Sequence, residues 1–252
     1  MTDLSQRHAL ITGGGTGIGA ACALALAEAG AQVTVTGRRR EPLEEIAARS
    51  DRIRWRVMDV EDEESVVEGF AEARAVQPVD IVIANAGVAE TAPLAKMSLD
   101  FWRRVQRINA DGAFLTFREA LKGLGKADWG RHIAVSSIAG QTGFAYGGAY
   151  CASKHAMIGL VRAASAEVLK TGITVNALCP GYVRTPIIER SVANILEKTG
   201  ISAAEAEATL REANPNGRFV EPEEVAQTAL WLCSDGARSV TGQAIQIAGG
   251  DV

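Results

Sequence analysis

The chain has 252 residues, 47% hydrophobic and 22% charged, with a formal net charge of −4 and a pI near 5.5. That apolar content excludes a disordered chain, and the mild acidity excludes a broad basic surface, so neither nucleic acid nor anionic membrane is an expected partner. The four cysteines, Cys22, Cys151, Cys179 and Cys233, are scattered without a Cys-x-x-Cys pair, so disulfides and a structural metal are not expected.

Strand-length apolar runs alternate with amphipathic stretches along the chain. The first strand is predicted over 8–12 and runs into Thr12-Gly13-Gly14-Gly15-Thr16-Gly17-Ile18-Gly19, with a helix over 18–29 behind it. Glycine permits positive φ and close approach of backbone to a ligand, and the amides at a helix N-terminus favour a pyrophosphate. The glycines follow the order G-x-x-x-G-x-G, through Gly13, Gly17 and Gly19. The G-x-G-x-x-G spacing fails in every register, and no Gly-Lys-Ser/Thr follows to make a Walker loop. A strand over 32–36 leads to Gly37-Arg38-Arg39-Arg40 and a helix over 42–49. A strand over 53–58 and a helix over 63–75 precede a strand over 80–84, which ends in Asn85-Ala86-Gly87.

One long helix is predicted over 99–121, then a strand over 132–136 that closes on Ser137. Tyr150 and Lys154 open a helix over 150–170, four apart and therefore on one face. A strand over 173–178 reaches Pro180-Gly181 and Thr185, and a helix over 222–233 and a strand over 244–247 end the pattern. Strands alternating with helices argue for an α/β chain with a parallel sheet covered on both faces. Seven such strands make one doubly wound sheet, so residues 1–252 are expected to form a single domain. Residues 186–217 break the alternation as a partly polar helical insertion. Ligands of open α/β sheets bind beyond the strand C-termini, so this insertion is expected to act as a small mobile lid. Ile187, Ile188, Val192, Ile195 and Leu196 offer it an apolar face. The sequence has no signal-peptide pattern and no uncharged apolar run of about 18 residues, so a cytoplasmic protein is expected. His8, His132 and His155 show no metal-ligand spacing, and no Gly-x-Ser-x-Gly elbow supports a serine hydrolase.

In their order and spacing, the Thr-Gly-x-x-x-Gly-x-Gly turn, Asn85-Ala86-Gly87, the set Ser137, Tyr150 and Lys154, and Pro180-Gly181 with Thr185 resemble the short-chain dehydrogenase/reductase family over nearly the whole chain. The resemblance implies a Rossmann fold, a nicotinamide cofactor, and reversible hydride transfer between a secondary alcohol and a ketone. Within the family the chain is most similar to ketoreductases of fatty-acid and polyketide type. A 3-oxoacyl thioester or a cyclic ketone is the substrate by that analogy, and an NAD(H)-dependent alcohol dehydrogenase is the alternative. The family pattern assigns cofactor contacts to Gly13, Gly17, Ile18 and Gly19, and to Asp59 and Val60 beside the adenine. Asn85 and Gly87 are assigned to the central groove, Tyr150 and Lys154 to the nicotinamide side, and Pro180, Gly181, Val183 and Thr185 to the rest. Substrate walls are implied at Glu90, Thr91 and Ala92, at Gly143, Phe144, Ala145 and Tyr146, and on the lid. Asn109 matches the fourth catalytic position, which in the family supports a proton-returning water chain. A homotetramer is implied, with the apolar spacing of helix 150–170 and strand 244–247 as assembly surfaces.

The end of the second strand is where dinucleotide folds distinguish NAD from NADP, an acidic side chain there repelling a 2′-phosphate. NAD-preferring relatives carry Asp where this chain has Gly37, and Arg38 and Arg39 can pair with a phosphate by charge-assisted hydrogen bonds. NADP(H) is therefore favoured over NAD(H), although Thr16 stands where many NADP-preferring relatives have a basic residue. Reduction of a ketone needs a hydride from the cofactor and a proton for the oxygen. Tyr150 is the expected acid/base, with its pKa lowered by the Lys154 ammonium together with an oxidised nicotinamide, and Ser137 is placed to bond the substrate oxygen. A non-catalytic NADP-sensing regulator would typically lack the tyrosine or the lysine, and both are present. A longer-chain epimerase or dehydratase would need a different glycine spacing and a C-terminal substrate domain.

Overall fold

Alternation along the first strand already sorts the core into two layers. In β1 (His8–Thr12) the side chains of Ala9 and Ile11 enter one layer and Leu10 the other, as a period of two requires. The computed structural model describes residues 2–122 and 128–250. Six further strands, β2 (Gln32–Gly37), β3 (Ile53–Val57), β4 (Ile81–Ala84), β5 (Gly130–Val135), β6 (Ile173–Pro180) and β7 (Ala244–Ile247), complete the sheet. All neighbours pair parallel, in the order β3-β2-β1-β4-β5-β6-β7. The doubly wound seven-stranded Rossmann fold expected from the sequence is the fold observed.

On one face, Ile11, Val33, Ile83 and Ile133 pack under α1 (Gly17–Glu28), α2 (Arg40–Ala47) and α9 (Pro222–Leu232), through Leu26, Leu43 and Val225. On the other, Leu10, Val82, Ala134 and Val175 meet Phe70 of α3 (Glu63–Val76), Phe117 of α5 (Gly112–Leu121) and Met157 of α6 (Gly148–Glu167). Both faces of β5 and β6 are thus buried along their whole length. A side chain of this size contributes about 1.5–3 kcal/mol when fully buried, which fixes strand register strongly because a one-residue slip would exchange the two layers.

The helix predicted over 99–121 is not continuous. α4 (Leu99–Gln106) ends in a π-helical turn, Arg107–Asp111, before α5 begins. Asn109, which is fully buried, sits in that widened turn; such bulges are frequent at functional sites. The insertion after β6 folds as α7 (Pro186–Thr199) and α8 (Ala203–Glu212). Gly200 ends α7 in the left-handed conformation, φ 72°, and a Ser202–Glu205 capping box starts α8. The sheet order reverses at β1, which lies between β2 and β4, so a crevice opens between the loops that follow β1 and β4. Among the described residues no helix is long and apolar enough to cross a membrane.

Candidate active site

The glycine turn leaves β1 at this crevice. Thr16 is the N-cap of α1 but makes no side-chain cap bond, and the first turn holds no acidic residue. By contrast Asp62 caps α3 and Ser98 caps α4 with their own side chains. The first amides of α1 are therefore left for an outside acceptor. Gly17 has φ +54°, and a Cβ at Gly19 would be driven into the Gly13 carbonyl oxygen and the Asn85 amide. Asn85 holds this arrangement: its Nδ2 donates to the Thr12 and Gly13 carbonyls, each at 3.0 Å. Thr12 Oγ1 accepts from the backbone amides of Asn85 and Ala86 at 3.0 Å. An uncapped helix start beneath a turn with no room for side chains fits the pyrophosphate of a dinucleotide.

At the end of β2, a Cβ on Gly37 would meet only Leu43, at 3.7 Å, so the place is open. Arg38 is 3.4 Å from Glu61, which Arg107 also approaches at 3.4 Å. Arg40 pairs with Glu44 and stacks over Trp55. Arg39 alone of the three makes no ion pair among the described residues. Asp59 Oδ1 accepts the Glu61 amide at 3.0 Å, and Val60 is buried, a Cβ on Gly112 lying only 2.8 Å from its Cγ2.

A cavity of about 880 Å³ brings Ser137, Tyr150 and Lys154 into one wall with Ile18, Asn85, Gly87, Pro180, Gly181, Val183 and Thr185. Ser137 follows β5; its Oγ accepts the Ala139 amide at 3.1 Å and donates to Pro180 O at 3.5 Å. Tyr150, in the first turn of α6, is half-buried, with Phe144 edge-on at 6.4 Å. Removal from water pushes its phenol up to about 12, against a lowering hydrogen bond from Ser137. Lys154 lies one turn on, buried, 5.8 Å from the Tyr150 ring centre, and donates to Val135 O at 2.8 Å. Burial pulls its ammonium down to about 8. The sequence leads to an expected lowering of Tyr150 by the Lys154 ammonium together with an oxidised nicotinamide; in the chain by itself desolvation raises the phenol, and Nζ donates to a carbonyl.

Asn109 is not in the cavity wall. Its Oδ1 accepts the Val88 amide at 2.8 Å, and Nδ2 donates to Val88 O at 3.0 Å and Ser153 Oγ at 2.9 Å. Ser153 Oγ donates in turn to Tyr150 O at 2.7 Å, so Asn109 ties the loop after β4 to the turn of α6 that carries Tyr150.

Of the anticipated substrate walls, Thr91, Ala92, Phe144, Ala145 and Tyr146 line the cavity, and Gly143 and Glu90 do not. Glu90 turns to Arg104, 2.8 Å between Oε1 and the nearer guanidinium nitrogen, which holds its carboxyl below the usual range. Tyr146 has φ +67°, and its carbonyl accepts the Ala92 amide at 2.9 Å, joining the two walls. From α7, Ile187, Ile188 and Ile195 line the cavity, whereas Val192 and Leu196 do not. Sequence reasoning missed Ser191 and Thr199 there, although with Ile187 and Ile195 they form an every-fourth stripe that a search confined to apolar residues passes over. It also missed Tyr182, Leu210 and Ala213, which no motif marks. Asn214 was missed too. It is fully buried; Oδ1 accepts the Tyr182 amide at 2.9 Å and Nδ2 donates to Tyr182 O at 3.0 Å and Arg218 O at 2.7 Å.

This fold and constellation define an oxidoreductase of nicotinamide type, and the chain belongs to the short-chain dehydrogenase/reductase family. The family model described as enoyl-(acyl carrier protein) reductase matches residues 13–251. The chain is 37% identical, over 99% of its length and 98% of the relative's, to 2,5-dichloro-2,5-cyclohexadiene-1,4-diol dehydrogenase of Sphingobium indicum. It is 34% identical to the 3-oxoacyl-[acyl-carrier-protein] reductase of Aquifex aeolicus, over 98% of both chains. Among solved structures, a variant of actinorhodin polyketide ketoreductase with NADPH superposes with a TM-score of 0.92 at 32% identity, over 99% of this chain and 98% of that one.

Proposed function

We propose that the protein interconverts a secondary alcohol and a ketone with NADP(H), using Tyr150 as the general acid/base. The observation that carries this reading is the convergence of Ser137, Tyr150 and Lys154 on one cavity wall that continues into the uncapped glycine turn. When bound there, the nicotinamide supplies or accepts the hydride. Ser137 Oγ bonds the substrate oxygen, where charge develops during reduction, and Tyr150 gives that oxygen its proton. Lys154 holds the nicotinamide-side ribose and favours the phenolate that remains. Asn109 positions both through Val88 and Ser153. Arg39, with Arg38 beside it, meets a 2′-phosphate in the open space at Gly37, which is the basis for preferring NADP(H); NAD(H) is the competing cofactor. Supporting this choice, the NADPH-bound ketoreductase is structurally similar. Relatives named for cyclic diols and for 3-oxoacyl thioesters both fit this reaction type.

A cytoplasmic location is proposed, supported by four free cysteines, three of them buried, which suit a reducing compartment. A homotetramer is proposed as well, supported by the open edge of β7 and the exposed Leu169 and Trp231. The mechanism is tested by Tyr150→Phe, which keeps the ring and removes the hydroxyl. Turnover of ketones and alcohols should fall at least about 10²–10⁴-fold while cofactor affinity by fluorescence titration stays near that of the parent. Retention of a tenth of the parent kcat would overturn the assignment of Tyr150.

A further inference from the structure

We propose that Glu61 tempers the choice of NADPH over NADH, because it holds in an ion pair the Arg38 guanidinium that a 2′-phosphate would take. This deepens the nicotinamide-cofactor reading of the site and rests on it. Glu61 lies between β3 and α3, and hydrogen bonds fix the turn that carries it. Asp59 Oδ1 accepts the Glu61 amide at 3.0 Å, the Asp59 amide donates to Ser65 Oγ at 3.1 Å, and the Asp62 amide donates to the Asp59 carbonyl at 3.2 Å. The Glu61 carboxylate reaches arginines of two other elements. Oε2 lies 3.4 Å from Arg38, just beyond β2, and Oε1 lies 3.4 Å from Arg107, in the π turn. The Glu61 side chain is 21% exposed, against 60% for Arg38 and 53% for Arg107, so the anion is the anchored partner and Arg38 the movable one. Dinucleotide folds that reject a 2′-phosphate do so with an acidic side chain at the end of β2. Here Gly37 stands at that place, and the acid comes instead from the loop after β3, one arginine away. A 2′-phosphate that reaches Arg38 gains a charge-assisted hydrogen bond but must draw the guanidinium off Glu61. An exposed pair of this length is weak enough to yield, and Arg107 stays with Glu61 when it does. NADH, with a neutral 2′-hydroxyl, makes no such demand on Arg38. The pair therefore subtracts from NADPH affinity and leaves NADH affinity alone, and Glu61 acts as a positioning residue through Arg38.

The test is a double-mutant cycle read by binding: Kd for NADPH and for NADH, by fluorescence titration, in the parent, Glu61→Gln, Arg38→Met and the double variant. Glu61→Gln keeps the shape and removes the charge. It should tighten NADPH about three- to tenfold, the order of one released exposed pair, and leave NADH within about twofold. In the Arg38→Met background the same change should leave NADPH within about twofold, since the group that Glu61 holds is gone. An unchanged or weaker NADPH affinity in Glu61→Gln overturns the proposal. So does a gain that survives Arg38→Met, which would make Glu61 a direct repeller of the phosphate. A several-fold loss of NADH affinity in Glu61→Gln overturns it too, because Glu61 would then read the ribose hydroxyls. The cofactor reading fails separately: a parent that binds NADH more tightly than NADPH loses the NADP(H) preference, while the Arg38-dependent gain still decides the role of Glu61. Binding of neither cofactor overturns both.

Discussion

At neutral pH Tyr150 keeps its phenolic proton, since removal from water pushes it up to about 12, while Lys154, drawn down to about 8, is still mostly charged. A protonated phenol is the form that a general acid needs, and a phenolate is the form that a base needs. Ketone reduction should therefore be nearly flat below pH 7 and decline as pH rises through about 8, where the Lys154 ammonium discharges. Alcohol oxidation should climb with pH over the same range. Initial rates in both directions from pH 6 to 10 test this, and a reduction rate that rises through pH 8 would contradict it. A second buried base acts on stability instead. His132 stacks on Phe117, neither ring nitrogen has a partner, and burial, with Arg131 beside it, pulls its pKa down to about 4 from 6.5. The folded state favours the neutral ring, so the contribution is complete above pH 6.5 and is lost as pH falls through 4, by about 3 kcal/mol. Denaturant unfolding should show that acid leg, and His132→Leu should flatten it while costing little at pH 7, because an apolar side chain leaves no polar atom unsatisfied.

Elements place these residues, and the elements differ in how openly the sequence announces them. The glycine turn and the Tyr150–Lys154 pair were legible because each rests on local geometry: a helix start without room for side chains, and one turn of α6. The seven strands were legible because helices cover the sheet on both faces, so most of them read as short apolar runs between amphipathic stretches. The π turn at Arg107–Asp111 was not, since the apolar pattern runs unbroken through 99–121 and a widened hydrogen-bonded ring leaves no compositional trace. Asn214 was equally hidden. Two of its three bonds reach Tyr182, 32 residues back, and a lone asparagine after a helix reads as surface. Asn214→Ala would leave the Tyr182 amide and the Arg218 carbonyl without their partner, while Tyr182 O keeps the Val220 amide, and each unsatisfied buried group costs about 1–3 kcal/mol. We expect lower thermal stability together with a raised KM for substrate, because Tyr182 lines the cavity; an unchanged KM would separate Asn214 from the site. The α7–α8 insertion, if it acts as a lid, should exchange amide hydrogens quickly in the apo protein and slow when cofactor and substrate bind. Equal protection in the two states would remove the lid reading.

Across the whole molecule, β7 closes one edge of the sheet with all four residues only half-buried. Near the ends of α6 and α9, Leu169 is 66% and Trp231 45% exposed. Phe114 on α5 is also exposed, under Arg118. Exposed large apolar side chains and an unpaired strand edge are each what an assembled oligomer would cover. Light scattering at micromolar concentration should give a tetramer, and Trp231→Glu should shift it toward smaller species; a monomeric parent would show that these surfaces are simply exposed.

The reversal of strand order at β1 also separates two kinds of heredity along the chain. The groups proposed to meet the nucleotide's phosphates and adenosine lie before residue 90, on the loops after β1, β2, β3 and β4. The wall of isoleucines and leucine that meets the rest of the ligand lies after β6, within residues 186–217. A genetic crossover between these stretches would pass on coenzyme choice intact while exchanging the range of compounds accepted. Descendants of one ancestral gene can in this way diversify in diet without renegotiating their supply of reducing power, and chimaeras joined within β6 should sort the two traits according to which parent supplied each side.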